Sequence, residues 1–249
     1  MAENGKPYAW PARVWYPIYH LVARVSANHP TLQTKVARFG EIADWIRYLS
    51  RCFPGSSLEL FSDKDKLRAS LVSQRAIQTS SMVVVELGVA DGSGSIWWLN
   101  ALGPNLSKLI GCDRFTGLPR DWRGLKAGHF STGGRVPEIR DSRIDFVVGD
   151  VEDTLPDLIS QPSFRELIQT HQVVYVFDMD ILEPTQLAFE LLAIGFKSSD
   201  FVIFDEAFDA TNERVVLTQL LHLWNTKLIG ATSEAVAVQL LSPKLTREN

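Results

Sequence analysis

The sequence predicts a doubly wound α/β fold built on a mixed sheet of seven strands, five parallel followed by an antiparallel terminal hairpin, with helices on both faces and a helical N-terminal extension. Three observations predict it. Apolar, β-branched runs alternate with helical patterns from residue 82 onward. Five of these runs end in an acid: Glu86, Asp113, Asp150, Asp178 and Asp205. The last two runs are joined by a short turn, which makes them antiparallel rather than a further crossover.

At 249 residues the chain has room for one large α/β domain with additions or for two small domains, and one is expected. Hydrophobic residues make up 45% and charged residues 22%, a balance that excludes wholesale disorder. A net charge of −4 leaves no basic footprint, so neither nucleic acid nor an anionic membrane surface is an expected partner. No apolar run has the length of a membrane span and no signal-peptide core opens the chain, so a cytoplasmic protein is expected. Cys52 and Cys112 match no metal spacing and read as reduced structural thiols.

The elements follow in order. Tyr8, Trp10, Trp15, Tyr16 and Tyr19 crowd a segment with Pro7, Pro11 and Pro17, and a helix is expected from an N-cap at Thr31 to about Ser50. Ser62-Asp63-Lys64-Asp65 opens a second helix in a capping-box-like pattern, ending near Ser80. Residues 1–80 thus form an aromatic-rich extension that walls a substrate site, is buried against a second copy of the chain in a homodimer or higher homo-oligomer, or packs as plain core. Residues 81–249 form the ligand-binding domain. Its strands are expected at Met82 to Val85, Lys108 to Cys112, Ile144 to Val148, Val173 to Phe177, Phe201 to Phe204, Thr226 to Ile229 and Ala235 to Leu241. Helices are expected at Ile96 to Leu102, Ser163 to Thr170, Pro184 to Ile194 and Asn212 to Trp224. Residues 114–143 show little periodicity and many glycines, yet carry Phe115, Trp122, His129 and Phe130, the composition of a folded lid.

The most informative local feature is Glu86-Leu87-Gly88-Val89-Ala90-Asp91-Gly92-Ser93-Gly94-Ser95. A buried strand runs into a loop whose glycines permit tight turns or close approach to a ligand, and a helix opens at Ser95 with its first N–H groups free. The spacing G-x-x-x-G-x-G is not the G-x-G-x-x-G of a dinucleotide-binding turn, which disfavours a nicotinamide dehydrogenase. The E-x-G-x-x-x-G form resembles the first motif of class I S-adenosylmethionine methyltransferases, in which the strand-end carboxylate faces the methionine part of the cofactor.

In a doubly wound sheet ligands bind beyond the carboxyl ends of the strands, so the strand-end acids share one rim. Asp113 is placed to accept two ribose hydroxyls, and Asp150 to meet an adenine amino group. Glu86, Gly88, Val89, Ser95, Asp113, Arg114, Asp150 and Val151 make up the expected cofactor contacts. Asp178 with Asp180, and Asp205 with Glu206, end neighbouring strands. Like charges that close are costly unless a cation neutralises them, and hard oxygen donors suit Mg²⁺ or another divalent ion. Such a metal would orient and help ionise a substrate hydroxyl, with Asp178 as general base and His129 in the lid as the alternative base.

These motifs join into one resemblance. Gly111 through Pro119, Asp121-Trp122 and Gly128-His129-Phe130-Ser131 are similar to the lid of macrocin O-methyltransferase-like (TylF-type) enzymes. Asp153-Thr154-Leu155-Pro156, Asp178-Met179-Asp180 with Glu183-Pro184-Thr185, and Phe204-Asp205-Glu206 match further motifs in the right order, from about Val83 to Leu241. The resemblance implies the Rossmann-like sheet of class I methyltransferases, S-adenosylmethionine as cofactor, and Mg²⁺ on Asp178, Asp205 and Glu206. It also implies methyl transfer to a hydroxyl of a small-molecule natural product, a sugar or another secondary metabolite. Ile181-Leu182, Lys197 to Asp200 and Ala207-Phe208 depart from the family pattern. Two other classes compete: a cofactor-binding scaffold without catalysis, and a relative of the cephalosporin-hydroxylase type, which the lack of a 2-His-1-carboxylate arrangement disfavours.

Overall fold

The computed structural model describes residues 30–74, 77 and 80–244. The chain divides into two compact units, Met1–Ile46 and Arg47–Asn249. The described part of the first is helical and belongs to α1, Pro30–Cys52, which contains Thr31 and ends two residues beyond the expected Ser50. The aromatic segment from Tyr8 to Tyr19, and with it the expected substrate wall or subunit contact, lies outside the described residues.

The second unit begins before the sheet. Its first helix, α2 (Lys64–Val72), is opened by Asp63, whose carboxylate accepts from the Lys66 N–H at 2.8 Å, and its continuous turn stops at Val72 rather than near Ser80. The strands follow as β1 (Met82–Leu87), β2 (Leu106–Asp113), β3 (Ile144–Val148), β4 (Gln172–Phe177), β5 (Phe201–Phe204), β6 (Trp224–Ala231) and β7 (Val236–Pro243). Between them lie α3 (Ser93–Leu102), α4 (Val151–Ser160), α5 (Pro162–Thr170), α6 (Leu182–Leu192) and α7 (Glu213–Leu223). The sequence reading did not anticipate α4. Its Pro156 reads as a breaker, yet it sits in a helix whose apolar face, Val151, Leu155 and Leu158, is buried.

All seven strands form one sheet in the order β3-β2-β1-β4-β5-β7-β6. The ladders from β3 through β5 are parallel, and β7 is antiparallel to both β5 and β6. Five parallel strands plus a terminal antiparallel hairpin is the expected architecture. Every residue of β1 is buried, as a strand covered on both faces requires. On one face Met82, Val84, Val174, Val176 and Ile203 pack with Leu67 and Leu71 of α2 and Trp98 and Leu102 of α3. On the other, Phe177 stacks on Phe204 at 5.0 Å and meets Phe189 of α6. Among the described residues no helix is long and apolar enough to cross a membrane.

Candidate active site

Chain order reverses between β1 and β4, which run side by side while β2 and β5 lie outside them, so a crevice opens at the carboxyl ends of these strands. A cavity of about 840 Å³ lies there. It is walled by the glycine loop, the strand ends of β2, β4 and β5, the start of α4, the start of α2 and part of the 114–143 segment. That volume accommodates a nucleoside-sized cofactor beside a small second substrate.

The half formed by β1 and β2 is held by main-chain geometry. Gly88 has φ +92°, and a Cβ there would be driven into the Asp178 carbonyl oxygen, so only glycine lets the loop pass the end of β4. Gly94 likewise leaves room for the Glu86 carboxylate. Asp113 Oδ2 accepts from the N–H groups of Val89 (2.7 Å) and Ala90 (2.8 Å), and its Oδ1 from that of Phe115 (2.6 Å). The strand-end acid therefore fixes the glycine loop and the start of the 114–143 segment together, and it lines the cavity. Arg114 Nε approaches Asp150 Oδ1 at 3.3 Å and donates to Thr116 Oγ1 at 2.7 Å; Asp150 precedes α4, and Val151 is its buried first residue. Glu86 is 2% exposed and accepts from the Ser95 hydroxyl. Burial pushes its carboxyl up from about 4.5 to about 7, against the Ser95 bond and the attraction of Arg68.

The half formed by β4 and β5 is crowded with acids. Asp178, Asp180, Asp205 and Glu206 line the cavity, and Glu213 is buried at the head of α7. Burial and then the nearby Asp205 charge push Asp178 well above the carboxylate range. Burial also raises Asp180 to about 6 and Glu206 to about 7. Asp180 has φ +62°, a conformation that costs about 1 kcal/mol or more for a non-glycine residue. Glu213 Oε2 accepts from the Glu206 N–H at 2.8 Å, and the Arg214 guanidinium caps the Ala207 and Phe208 carbonyls, so the start of α7 fixes the β5 turn.

Two cations face these acids, and the sequence reading singled out neither. The Lys64 ammonium bonds Asp205 Oδ2 and reaches Glu206 Oε1 at 3.5 Å, and Arg68 Nη2 stands 4.0 Å from Asp205 Oδ1. Burial works against the Lys64 charge, but Asp205 and Asp178 outweigh it and hold the ammonium above its ordinary range. The local chain explains their placement. The Phe61 N–H donates to the Ala231 carbonyl (2.8 Å) and the Ala231 N–H to the Glu59 carbonyl (3.0 Å), which ties residues 59–61 to the site end of β6. Asp63 then starts α2, and a spacing of four puts Lys64 and Arg68 on one helix face. That spacing was the available signal; which way the face points was not in the sequence.

The 114–143 segment is folded on itself without regular elements. The Phe115 carbonyl accepts from the Thr132 and Gly134 N–H groups, and Leu118 pairs with Gly128 and His129 through the main chain. Phe115 is fully buried, and Arg123 bonds Asp209 at 3.0 Å while lying over the Phe208 ring. Phe130, Ser131 and Thr132 reach the cavity. His129 is not among the cavity walls: its ring is exposed, edge-on to Phe130 at 4.4 Å.

Asp178, Asp205 and Glu206, the expected metal ligands, do come to one wall. Among the described residues, however, no three acid, histidine or cysteine side chains are arranged to hold an ion. The position between Asp205 and Glu206 is taken by Lys64. As placed, the residues do not fit a divalent cation.

No protein-family profile matches the chain, and no curated protein is significantly similar to it. Solved structures are similar in fold. The apo structure of CalS11, a TDP-rhamnose 3′-O-methyltransferase of calicheamicin biosynthesis, superposes with a TM-score of 0.50 at 20% identity, covering 70% of this chain and 78% of that one. A second CalS11 structure, at the same TM-score and 17% identity, covers 96% of this chain and 98% of that one. The O-methyltransferase NovP gives a TM-score of 0.49 at 20% identity over 72% of this chain and 80% of its own.

Proposed function

We propose that this chain is an S-adenosylmethionine-dependent methyltransferase that methylates a hydroxyl of a small-molecule natural product. The observation that carries this reading is Glu86, a buried carboxylate at the end of β1 beside a glycine loop that leaves room for a ligand. With its pKa pushed to about 7, it is stabilised as an anion by a cationic ligand group, and the methionine ammonium has that charge. Gly88 and Val89 line the same pocket, whereas Ser95, expected as a cofactor contact, is fully buried outside its walls and serves it through the hydroxyl bond to Glu86. Asp113 and Arg114 on one side are suited to ribose hydroxyls, and Asp150 and Val151 beside them to an adenine. When bound, the cofactor supplies an electrophilic sulfonium methyl. As the acceptor oxygen bonded the methyl carbon, the S–C bond would break and S-adenosylhomocysteine would leave, and Asp178 in its ionised form would take the hydroxyl proton; burial and the neighbouring Asp205 charge, which raise its pKa, increase its proton affinity. The cavity walls would hold the two reactants beside each other. The likeness to CalS11 supports a sugar hydroxyl as the acceptor class. No divalent ion enters this reading, because Lys64 stands on the acids that would bind it.

Calorimetry with S-adenosylmethionine, S-adenosylhomocysteine and NAD tests the cofactor, and mass spectrometry of hydroxylated acceptors tests the transfer. Binding of the first two but not NAD, with one methyl gained on an acceptor oxygen, is expected. Absence of S-adenosylmethionine binding would overturn the reading. The ion pair across the acids favours one second reading, a cofactor-binding scaffold, which binding without any methyl gain would select.

A further inference from the structure

Five carboxylates, Asp178, Asp180, Asp205, Glu206 and Glu213, converge on the ends of β4 and β5 and the head of α7, and α2 sets Lys64 and Arg68 against them. The balance is incomplete. Among the described residues Asp205 Oδ1 and Glu213 Oε1 are buried without a hydrogen-bond partner, and the Asp205 side chain is only 3% exposed. Buried carboxylate oxygens without hydrogen bonds are costly, so the pocket retains a demand for positive charge that Lys64 and the more distant Arg68 meet only in part. Lys64 is suited to that duty. Its ammonium is a compact, strongly hydrated charge on a flexible stem, 33% exposed at the side chain, and α2 is tied at its start to β6.

We propose that Lys64 is the resident cation of this acid cluster, occupying the place between Asp205 and Glu206 that a divalent ion would take, so that the protein holds the cluster without metal and Lys64 competes with any divalent ion that enters. A positive charge fixed beside an incoming dication repels it, and removing that charge while leaving the carboxylates creates a cation site where the wild type has an ion pair.

The test is Mn²⁺ binding, read by electron paramagnetic resonance and calorimetry on the full chain without cofactor or acceptor, so its outcome is independent of whether the protein transfers methyl groups. Wild type is expected to bind Mn²⁺ no tighter than about millimolar, Lys64→Met at least about tenfold tighter, and Lys64→Arg like wild type. Lys64→Met should also gain a metal-dependent rise in melting temperature that wild type lacks. Micromolar binding by wild type, or a Lys64→Met affinity no tighter than wild type, would overturn the proposal. Should Lys64→Met fail to fold, amine labelling of wild type decides: Lys64 should label slowly at the same rate with and without millimolar Mn²⁺, and faster labelling on adding the metal would show that Lys64 yields the site.

Discussion

The two halves of the cavity solve the same electrostatic problem in different ways. At the ends of β1 and β2, the Asp113 carboxylate is satisfied by three main-chain N–H groups of its own loops, and Glu86 accepts from a serine in the first turn of α3. At the ends of β4 and β5, carboxylates are balanced by side-chain cations carried on a different helix, and among the described residues two of the acid oxygens there accept no hydrogen bond. Main-chain donors cannot leave when a ligand arrives, whereas a lysine stem can swing. The first half is thus a fixed cradle, and the second is a pocket balanced by side-chain cations that a substrate can rearrange.

The largest effect should come from Asp178→Asn, which keeps shape and removes the proposed base. Turnover should fall by about 10²–10⁴-fold with S-adenosylmethionine affinity nearly unchanged, measured by single-turnover kinetics and calorimetry. Comparable loss in both would erase the distinction between the halves. Next, Gly88→Ala should cost several kcal/mol of stability, about 3 or more, because the added methyl meets main chain on the β4 side. Chemical denaturation reads it, and a change below about 1 kcal/mol would mean the loop is free to move.

Asp113→Ala should lower stability by about 1–3 kcal/mol even without ligand, since it orphans loop N–H groups, and should weaken cofactor binding as well. A loss of affinity with unchanged stability would assign Asp113 to the ligand alone. The pH dependence is smaller and has a definite sign. Glu86 holds its proton more tightly folded (about 7) than unfolded (about 4.5), so its contribution to stability is complete below about 4.5 and is lost as pH rises through about 7. Melting temperature without ligand should therefore decline across that window in wild type more than in Glu86→Gln, and bound S-adenosylmethionine should flatten the decline. Arg123→Ala should have the smallest effect, about 0.5–1 kcal/mol, with faster proteolytic cutting in residues 114–143.

How much was legible depended on the range of the interaction. Strand positions, the sheet's terminal hairpin and the convergence of Glu86, Asp113, Asp178 and Asp205 follow from period, length and the acid at each strand end. The α4 helix did not, because a proline after the first turn reads as a stop while its burial against the fold overrides propensity. The second duty of Asp113, binding the loop 23 and 24 residues before it, was equally silent, since an acid at a strand end carries no mark of which donors will reach it.

The sequence by itself therefore determined the α/β rhythm, the glycine loop and the set of acids on the rim, all of which are properties of a few consecutive residues and of topology rules. Only the tertiary structure decided that Lys64 and Arg68 meet those acids from 141 and 137 positions away, that Glu213 and Arg214 brace the β5 turn, and that His129 turns outward. A helix carries its charged face wherever packing sends it. Here the tie between residues 59–61 and β6, together with the burial of Leu67 and Leu71, sends it into the site.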